Sequence, residues 1–104
     1  MKQRKWNKTH EWATHNHSGH DHAKHPAYVY GKSGNYRKFL CFTHSKSTNG
    51  KENVRLQKNI DPSDSRKCYL VPRFVIESHN KLSPTNKKYR IAPEDRETVK
   101  RYKK

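Results

Sequence analysis

The feature that most constrains the fold is a series of short apolar runs separated by turn residues. Apolar residues cluster at 27–30, 39–42 and 74–76 without the spacing of an amphipathic helix, and residues 39–42 read Phe-Leu-Cys-Phe without a polar break. A short unbroken run of this kind is typical of a strand that is buried on both faces. The sequence therefore predicts a mainly β fold in which residues 36–43 form a central strand.

Further strands are predicted at 53–57 and 88–91, and residues 68–71 and 74–76 form either a strand pair or one strand bent at Pro72. The loop 31–35 joins the strands 27–30 and 36–43 as a hairpin. One helix is predicted over 93–102, because Pro93 suits the first helical position and acidic residues precede basic ones, as the helix dipole favours. Val99 and Tyr102 would face inward. We expect a small SH3-like barrel of about five antiparallel strands, followed by this C-terminal α-helix.

Residues 1–25 differ in composition from the rest of the chain. They hold six of the eight histidines and almost no aliphatic side chains, which indicates a His-rich basic extension before a β-barrel domain over 26–104. Charge is concentrated in that domain: five basic against two acidic residues give +3 in the extension, and 19 against seven give +12 in the domain. We expect the domain to make most of the contacts with an anionic partner.

A formal charge of +15 on 104 residues favours a polyanionic partner, because Lys and Arg release the counterions that condense on phosphates. Nucleic acid is the default, with anionic lipid or a merely solubilising basic face as the alternatives. No amphipathic helix, membrane-spanning run or signal-peptide core is visible, so we expect a cytoplasmic protein without membrane contact. Cys41 and Cys68 should be buried free thiols.

The order of the motifs resembles that of the PemK/MazF family of toxin endoribonucleases. The quoted segments are Lys-His-Pro-Ala-Tyr-Val-Tyr at 24–30, Phe-Leu-Cys-Phe-Thr-His-Ser at 39–45, Pro-Arg-Phe-Val-Ile at 72–76, and Tyr-Arg-Ile-Ala-Pro-Glu-Asp-Arg-Glu-Thr-Val at 89–99. The resemblance spans residues 24–102 and implies a PemK-like barrel with metal-independent endoribonuclease activity. The Gly-Asp-Ile start of the family's first strand has no counterpart here.

Carried over by position, the resemblance places candidate catalytic residues at His25 and Thr43. The family has an arginine where His25 stands, and a histidine there could act as acid or base near neutral pH. Thr43 would donate a hydrogen bond to the phosphate, and His44, Arg73 and Arg37 are further candidates for contacts with it. The alternative is that each of these residues is structural, as lone titratable groups usually are.

Basic residues interleaved with aromatic ones suggest how a single strand would be held. Exposed rings stack on bases while Lys and Arg follow the backbone. The aromatic candidates include Tyr28 and Tyr30, which share one face of one strand and must both point inward or both outward. The predicted nucleic-acid-binding residues are Arg37, Lys38, Arg55, Arg66, Lys67, Lys88 and Arg90.

The histidines of the extension are candidate metal ligands, namely His15, His17, His20 and His22. Imidazoles can gather around Zn, Ni or Cu, yet this tract lacks the thiolates of a structural zinc site. Adventitious metal binding is one alternative, and a tail that becomes charged below neutral pH and binds phosphate is another. No cofactor is predicted.

Three functions follow, in order of preference. The first is an RNA-binding, PemK/MazF-like endoribonuclease of a toxin–antitoxin or mobile-element system, a homodimer restrained by an acidic antitoxin. The second is a non-catalytic nucleic-acid-binding protein of a phage or plasmid. The third is a metal-handling protein that uses the histidine tract.

Overall fold

The computed structural model describes residues 11–16, 24–85 and 87–103. Antiparallel strands dominate these residues, as the spacing of the apolar runs predicted. The elements are β1 (Glu11–Asn16), β2 (Lys24–Ser33), β3 (Tyr36–Thr43), β4 (Ser47–Thr48), β5 (Lys51–Glu52), β6 (Val54–Arg55), β7 (Tyr69–Leu70), β8 (Val75–Ser78), β9 (Leu82–Pro84) and α1 (Arg96–Tyr102).

Strand β3 is the centre of the sheet. It pairs along one side with β2, and along the other side first with β8 and then with β7. Within the described residues the path β6-β7-β3-β2-β1-β9, with β8 beside β3, makes an open sheet of seven strands. The mainly β class and the C-terminal helix are confirmed, but the closed barrel of five strands is not found. The strand count rises because β1 and β9 extend the sheet beyond β2, and because β3 pairs with two short strands, β7 and β8, end to end.

Both faces of the sheet are buried, which explains the unbroken apolar run in β3. Alternate residues of the run, Phe39 and Cys41, enter one cluster together with Ala13, Ala27, Val29 and Leu82. Leu40 and Phe42 enter a second cluster on the opposite face, below the C-terminal segment. A two-sided core leaves no polar positions in the middle of β3, so the prediction of a central, doubly buried strand is confirmed.

Two tight turns follow the turn chemistry of the sequence. Strand β2 extends to Ser33, which lies opposite Tyr36, so that only Gly34 and Asn35 form the turn into β3. Gly34 has φ +57°, a conformation that glycine adopts without strain. The β4–β5 hairpin turns at Asn49 and Gly50, both of which have positive φ, as Asn-Gly turns commonly do.

The C-terminal segment packs on the second cluster through a short 3-10 turn, Pro93–Asp95, and then α1. Val99 is buried and Tyr102 contacts the same cluster, as the predicted inward face required. Asp95, however, does more than interact with the helix dipole. Its two carboxylate oxygens accept hydrogen bonds from the backbone amides of Gln57 and Lys58, at 2.8 and 3.0 Å. This buried carboxylate ties the C-terminal segment to the loop after β6.

The predicted strand at 88–91 is not found in the described part of the chain. Tyr89 and Ile91 instead pack against the second cluster, and the amide of Arg90 donates a single hydrogen bond to the carbonyl oxygen of Ile60. The strand nearest to this segment in the sequence is β9, at Leu82–Pro84, which pairs with β1. The alternation of polar and apolar residues in 88–91 therefore reflects the packing of Tyr89 and Ile91 on the second cluster and not pairing in a sheet.

The N-terminal segment differs most from its prediction as an extension. Strand β1 lies inside the sheet between β2 and β9, and its Ala13 and His15 are buried. The boundary predicted at residue 26 falls within β2. The strand was hidden because only Trp12 and Ala13 interrupt its polar residues, and its burial comes from tertiary contacts. Among the described residues, no helix is long and apolar enough to cross a membrane.

Candidate active site

A row of polar side chains closes one end of the first cluster. Along β1 and β2 the inward residues are Ala13 and Ala27, and the next inward residues along the strands are His15 and His25, which lie directly opposite each other. On β3, Ala27 faces Cys41, so that the next inward position beside His25 is Thr43. Cross-strand neighbours on one face have Cβ atoms about 5 Å apart. The sheet therefore brings two imidazoles and a hydroxyl together at one end of β1, β2 and β3.

His15 is held by partners at both ring nitrogens. Its Nε2 lies 2.5 Å from Oε1 of Glu77 on β8, and its Nδ1 lies 3.8 Å from Sγ of Cys41. Burial raises the pKa of Cys41 to about 12, so that the thiol keeps its proton at neutral pH and can donate it to Nδ1. In the neutral imidazole, Nε2 then carries the hydrogen and donates it to Glu77.

The residues at this end surround a small cavity of about 200 Å³, here called the histidine cavity. Its lining includes His15, His25 and Thr43 from the sheet, and Arg73 from the loop between β7 and β8. His25 is half-buried and Arg73 is exposed, so the cavity has a charged opening. Three of the five residues predicted for catalysis or phosphate contact, His25, Thr43 and Arg73, therefore share one cavity.

Thr43 is oriented by the chain that follows it. Its Oγ1 accepts a hydrogen bond from the amide of Ser45 at 3.2 Å, which leaves the hydroxyl hydrogen available for another acceptor. Only 8% of Thr43 is exposed, and that exposure is toward the cavities it lines. Thr43 can thus present a hydrogen-bond donor from a position that is fixed by the backbone.

His44, another of the five candidates, does not line the histidine cavity. Its Nδ1 donates to the carbonyl oxygen of Lys67 at 2.9 Å, and its Nε2 lies 3.5 Å from the carboxylate of Asp64. It lines a wider groove of about 500 Å³, here called the Asp64 groove, which also borders His25 and Thr43.

The Asp64 groove combines acidic with basic groups. Hydrogen bonds from the Arg66 side chain, then from the Arg66 amide, hold the pKa of Asp64 well below its usual range. Hydrogen bonds from the Ser63 hydroxyl and amide lower the pKa of Asp61. Both carboxylates are therefore ionised at neutral pH, and Arg66 is engaged in neutralising one of them. The positive charge that faces a phosphate here is smaller than the sequence suggests.

The predicted nucleic-acid-binding residues lie in different surroundings. Arg55, Arg66 and Lys67 border one groove of about 350 Å³. Lys38 lies with its Nζ 4.3 Å from the centre of the Phe74 ring, and Lys88 is exposed. Arg90 borders a separate groove beside α1.

Arg37 is not available to a nucleic acid, because only 3% of it is exposed. Its guanidinium Nη1 donates to the carbonyl oxygens of Gly34 and Tyr36, at 2.9 and 3.0 Å. The residue occupies an inward position of β3, on the same face as Phe39. Its predicted roles in phosphate contact are corrected to a structural role at the β2–β3 turn.

The candidate metal ligands are only partly described. His15 is buried and engaged by Glu77 and Cys41, whereas His17, His20 and His22 lie outside the described residues. Within 11–16, 24–85 and 87–103, no group of three or more His, Cys, Asp or Glu side chains is placed to hold a metal ion.

Glu77 is the residue of this site that the sequence analysis missed. A usable signal existed, since Val75 and Glu77 share one face of β8 and Val75 packs on the first cluster. A carboxylate that follows an inward valine at strand spacing needs a polar partner. The partner could not be inferred, because it lies in the segment assigned to the extension.

No family model, curated protein or solved structure matches this chain. The family resemblance thus rests on the quoted motifs alone, and the function is argued from the site.

Proposed function

We propose that this protein is an RNA-binding, metal-independent endoribonuclease whose reaction takes place at the histidine cavity. The observation that carries the proposal is that His25, Thr43 and Arg73 line a single cavity in a strongly basic chain. These three side chains supply a proton acceptor, a hydrogen-bond donor and a fixed positive charge, which are the groups that phosphodiester cleavage by an internal hydroxyl needs.

In the proposed reaction His25 accepts the proton of the ribose 2′-hydroxyl. The 2′-oxygen attacks the adjacent phosphorus, the bond from phosphorus to the 5′-oxygen breaks, and that oxygen takes a proton from water. The hydroxide left behind then removes the proton from His25, which regenerates the base. The products are a 2′,3′-cyclic phosphate and a 5′-hydroxyl. Arg73 and Thr43 stabilise the charge that develops on the phosphate oxygens.

His15 has a positioning role in this scheme. Both of its ring nitrogens have partners within the protein. Proton transfer is assigned to His25 because the family resemblance places a catalytic residue at that position. Glu77 holds the ring of His15, which lies opposite His25 in the sheet. In this scheme the His15 ring limits the orientations that His25 can adopt. The toxin role, the homodimer and the acidic antitoxin follow from the family resemblance only.

The test is cleavage of a labelled RNA by the full chain in the presence of EDTA. His25→Ala should lower the rate by about 10²–10⁴-fold, the usual contribution of a general base, with RNA affinity nearly unchanged. Thr43→Val and Arg73→Gln should also slow cleavage. His79→Ala is the matched control, because His79 lies in the 3-10 turn His79–Lys81 just before β9 and does not line the histidine cavity.

A substrate control separates this mechanism from contamination by another nuclease. RNA with a single 2′-deoxy nucleotide at the cleaved position should resist the protein, since the nucleophile is then missing. If His25→Ala and Thr43→Val cleave as fast as the wild type, the catalytic assignment fails. If the wild type binds RNA but cleaves none, the non-catalytic nucleic-acid-binding function takes its place. Exposed Arg55 and Lys67, which lie outside the histidine cavity, favour that second candidate.

A further inference from the structure

A groove of about 460 Å³ runs between α1 and the aromatic side of the second cluster. It is here called the helix groove, and the histidine-cavity residues are not part of it. Aromatic rings of Trp12, Tyr28 and Tyr89 line one part, and each of these residues is partly exposed. The other part is lined by cations. This pairing of aromatic and basic groups was expected from the composition, but its location required the fold.

The spacing of the basic residues along α1 places them on the same side of the helix groove. Arg96, Lys100 and Lys103 are separated by four and three residues, so that they lie on one side of α1 and its C-terminal residue. Arg90 joins them from the segment before the helix. A row from 96 to 103 is about 10 Å long at 1.5 Å per residue.

The acidic residues of the same segment lie elsewhere. Asp95 is buried and bound to the amides of Gln57 and Lys58, and Glu94 pairs with Lys58 at 3.7 Å. Among the described residues, no carboxylate lines the helix groove. The groove therefore offers positive charge without internal neutralisation, unlike the Asp64 groove.

The rings are arranged so that they remain fixed while a ligand binds. Trp12 packs at tilted angles on Tyr28 and Tyr89, with ring centroids 5.1 and 5.4 Å apart. Lys103 places its Nζ 5.5 Å from the ring centre of Tyr28 and 5.4 Å from that of Tyr30. A flexible lysine over an aromatic face can turn toward a phosphate and leave the face to a base.

We propose that the helix groove is a binding site for single-stranded RNA. Bases stack on the rings of Trp12 and Tyr28, and the phosphates contact Arg96, Lys100 and Lys103. Positive charge alone would suit any polyanion, but partly exposed rings among the cations favour unpaired bases, whose π faces are hidden in a duplex. The inference rests on the RNA-binding part of the proposed function but requires no cleavage, so the two can fail separately.

The experiment uses the full chain carrying Trp6→Phe, which leaves Trp12 as its single tryptophan. Titration with a single-stranded RNA octamer should quench Trp12 fluorescence. The triple variant Arg96→Gln/Lys100→Gln/Lys103→Gln should lower the affinity by about tenfold or more, and the slope of log affinity against log salt should fall by about 2, at roughly 0.7 for each lost phosphate contact.

A matched triple variant removes the same net charge at exposed positions away from the groove, Lys46→Gln/Lys51→Gln/Lys81→Gln. It should keep the quenching and most of the affinity. Circular dichroism of both triples checks that they are folded. Equal losses in the two triples, or RNA binding without quenching, would overturn the inference, because binding would then be diffuse or located elsewhere.

Two further ligands identify the occupant. Duplex RNA and a polyglutamate peptide should each quench Trp12 weakly and compete poorly with the octamer. If polyglutamate quenches and competes as well as the octamer, the groove binds an acidic protein segment and the RNA inference is overturned. His25→Ala should leave the quenching unchanged, so that loss of cleavage and loss of groove binding are distinguished in the same set of proteins.

Discussion

Nε2 of His15 lies 2.5 Å from Oε1 of Glu77, although 62 positions separate the two residues in the chain. The contact joins β1 to β8, two strands that are not neighbours in the sheet. It therefore holds together the parts of the sheet that border the histidine cavity. Since 35% of the Glu77 side chain is exposed, water screens the pair and its contribution should be moderate.

We expect Glu77→Ala to lower the free energy of unfolding by about 1–2 kcal/mol, because His15 loses a hydrogen-bond partner while it remains buried. Glu77→Gln should cost less, since its amide oxygen can still accept from Nε2. Urea unfolding measures both. Glu97→Ala is the matched control on an exposed site, and equal stability of Glu77→Ala and Glu97→Ala would contradict the structural role of the pair.

Asp95 should be among the most sensitive polar residues for stability. Only 2% of it is exposed, and its carboxylate accepts from two backbone amides. Asp95→Ala leaves these amides without their acceptor and should cost about 2–4 kcal/mol in urea unfolding. Asp95→Asn keeps one acceptor oxygen and should lie between. Glu94→Ala is the control, since Glu94 is exposed and makes only a long ion pair; similar losses at 94 and 95 would contradict this assignment.

The elements that were predicted well are those whose buried residues show a regular pattern in the local sequence. Tyr36–Thr43 was predicted with its observed bounds, because both faces of β3 are buried and the apolar run has no interruption. The C-terminal helix was also anticipated, apart from its first turn, which is a 3-10 turn. In both cases local residue order and tertiary burial favour the same structure.

The elements that were missed depend on contacts distant in sequence. Strand β1 is largely polar, and its place in the sheet follows from pairing with β2 and β9. The convergence of His25 and Thr43 could be inferred from a resemblance, whereas the approach of His15 to Glu77 could not, because it needs the position of β8 relative to β1. The hydrogen bonds of Asp95 could not be inferred for the same reason, since its amide partners are 37 and 38 residues away.

The ion pair between Asp64 and Arg66 should contribute to stability in a way that depends on acidic pH. Hydrogen bonds from Arg66 lower the pKa of Asp64, so the folded state favours the carboxylate. This contribution is present above the unfolded pKa, near 3.8, and is lost as pH falls through the folded value. In Arg66→Gln, we expect NMR titration to show the Asp64 pKa moving up toward 3.8. Arg101→Gln, on α1, is the control and should leave it unchanged.

The buried thiol of Cys41 makes the corresponding prediction for alkaline pH. Burial raises its pKa from 9.0 to about 12, with the carboxylate of Glu77 adding to the effect and Arg73 opposing it. Between these values the unfolded chain loses the thiol proton while the folded chain keeps it. Because the folded state binds more protons, the free energy of unfolding falls as pH rises, by up to about 1.4 kcal/mol per pH unit for this group.

Urea unfolding of the wild type and Cys41→Ala at pH values from 8 to 11 measures this effect. The variant has lost packing and starts less stable, so the readout is the slope against pH rather than the stability itself. Its slope should be shallower, but not zero, since burial also raises the pKa values of Cys68, Tyr28 and Tyr89. A parallel reagent test should find the thiol of native Cys41 nearly inert at pH 8, because thiolate is the reactive form. Identical slopes in the two proteins would show that Cys41 ionises in the folded state as it does in the unfolded chain, and that the thiol does not hold its proton against Nδ1 of His15.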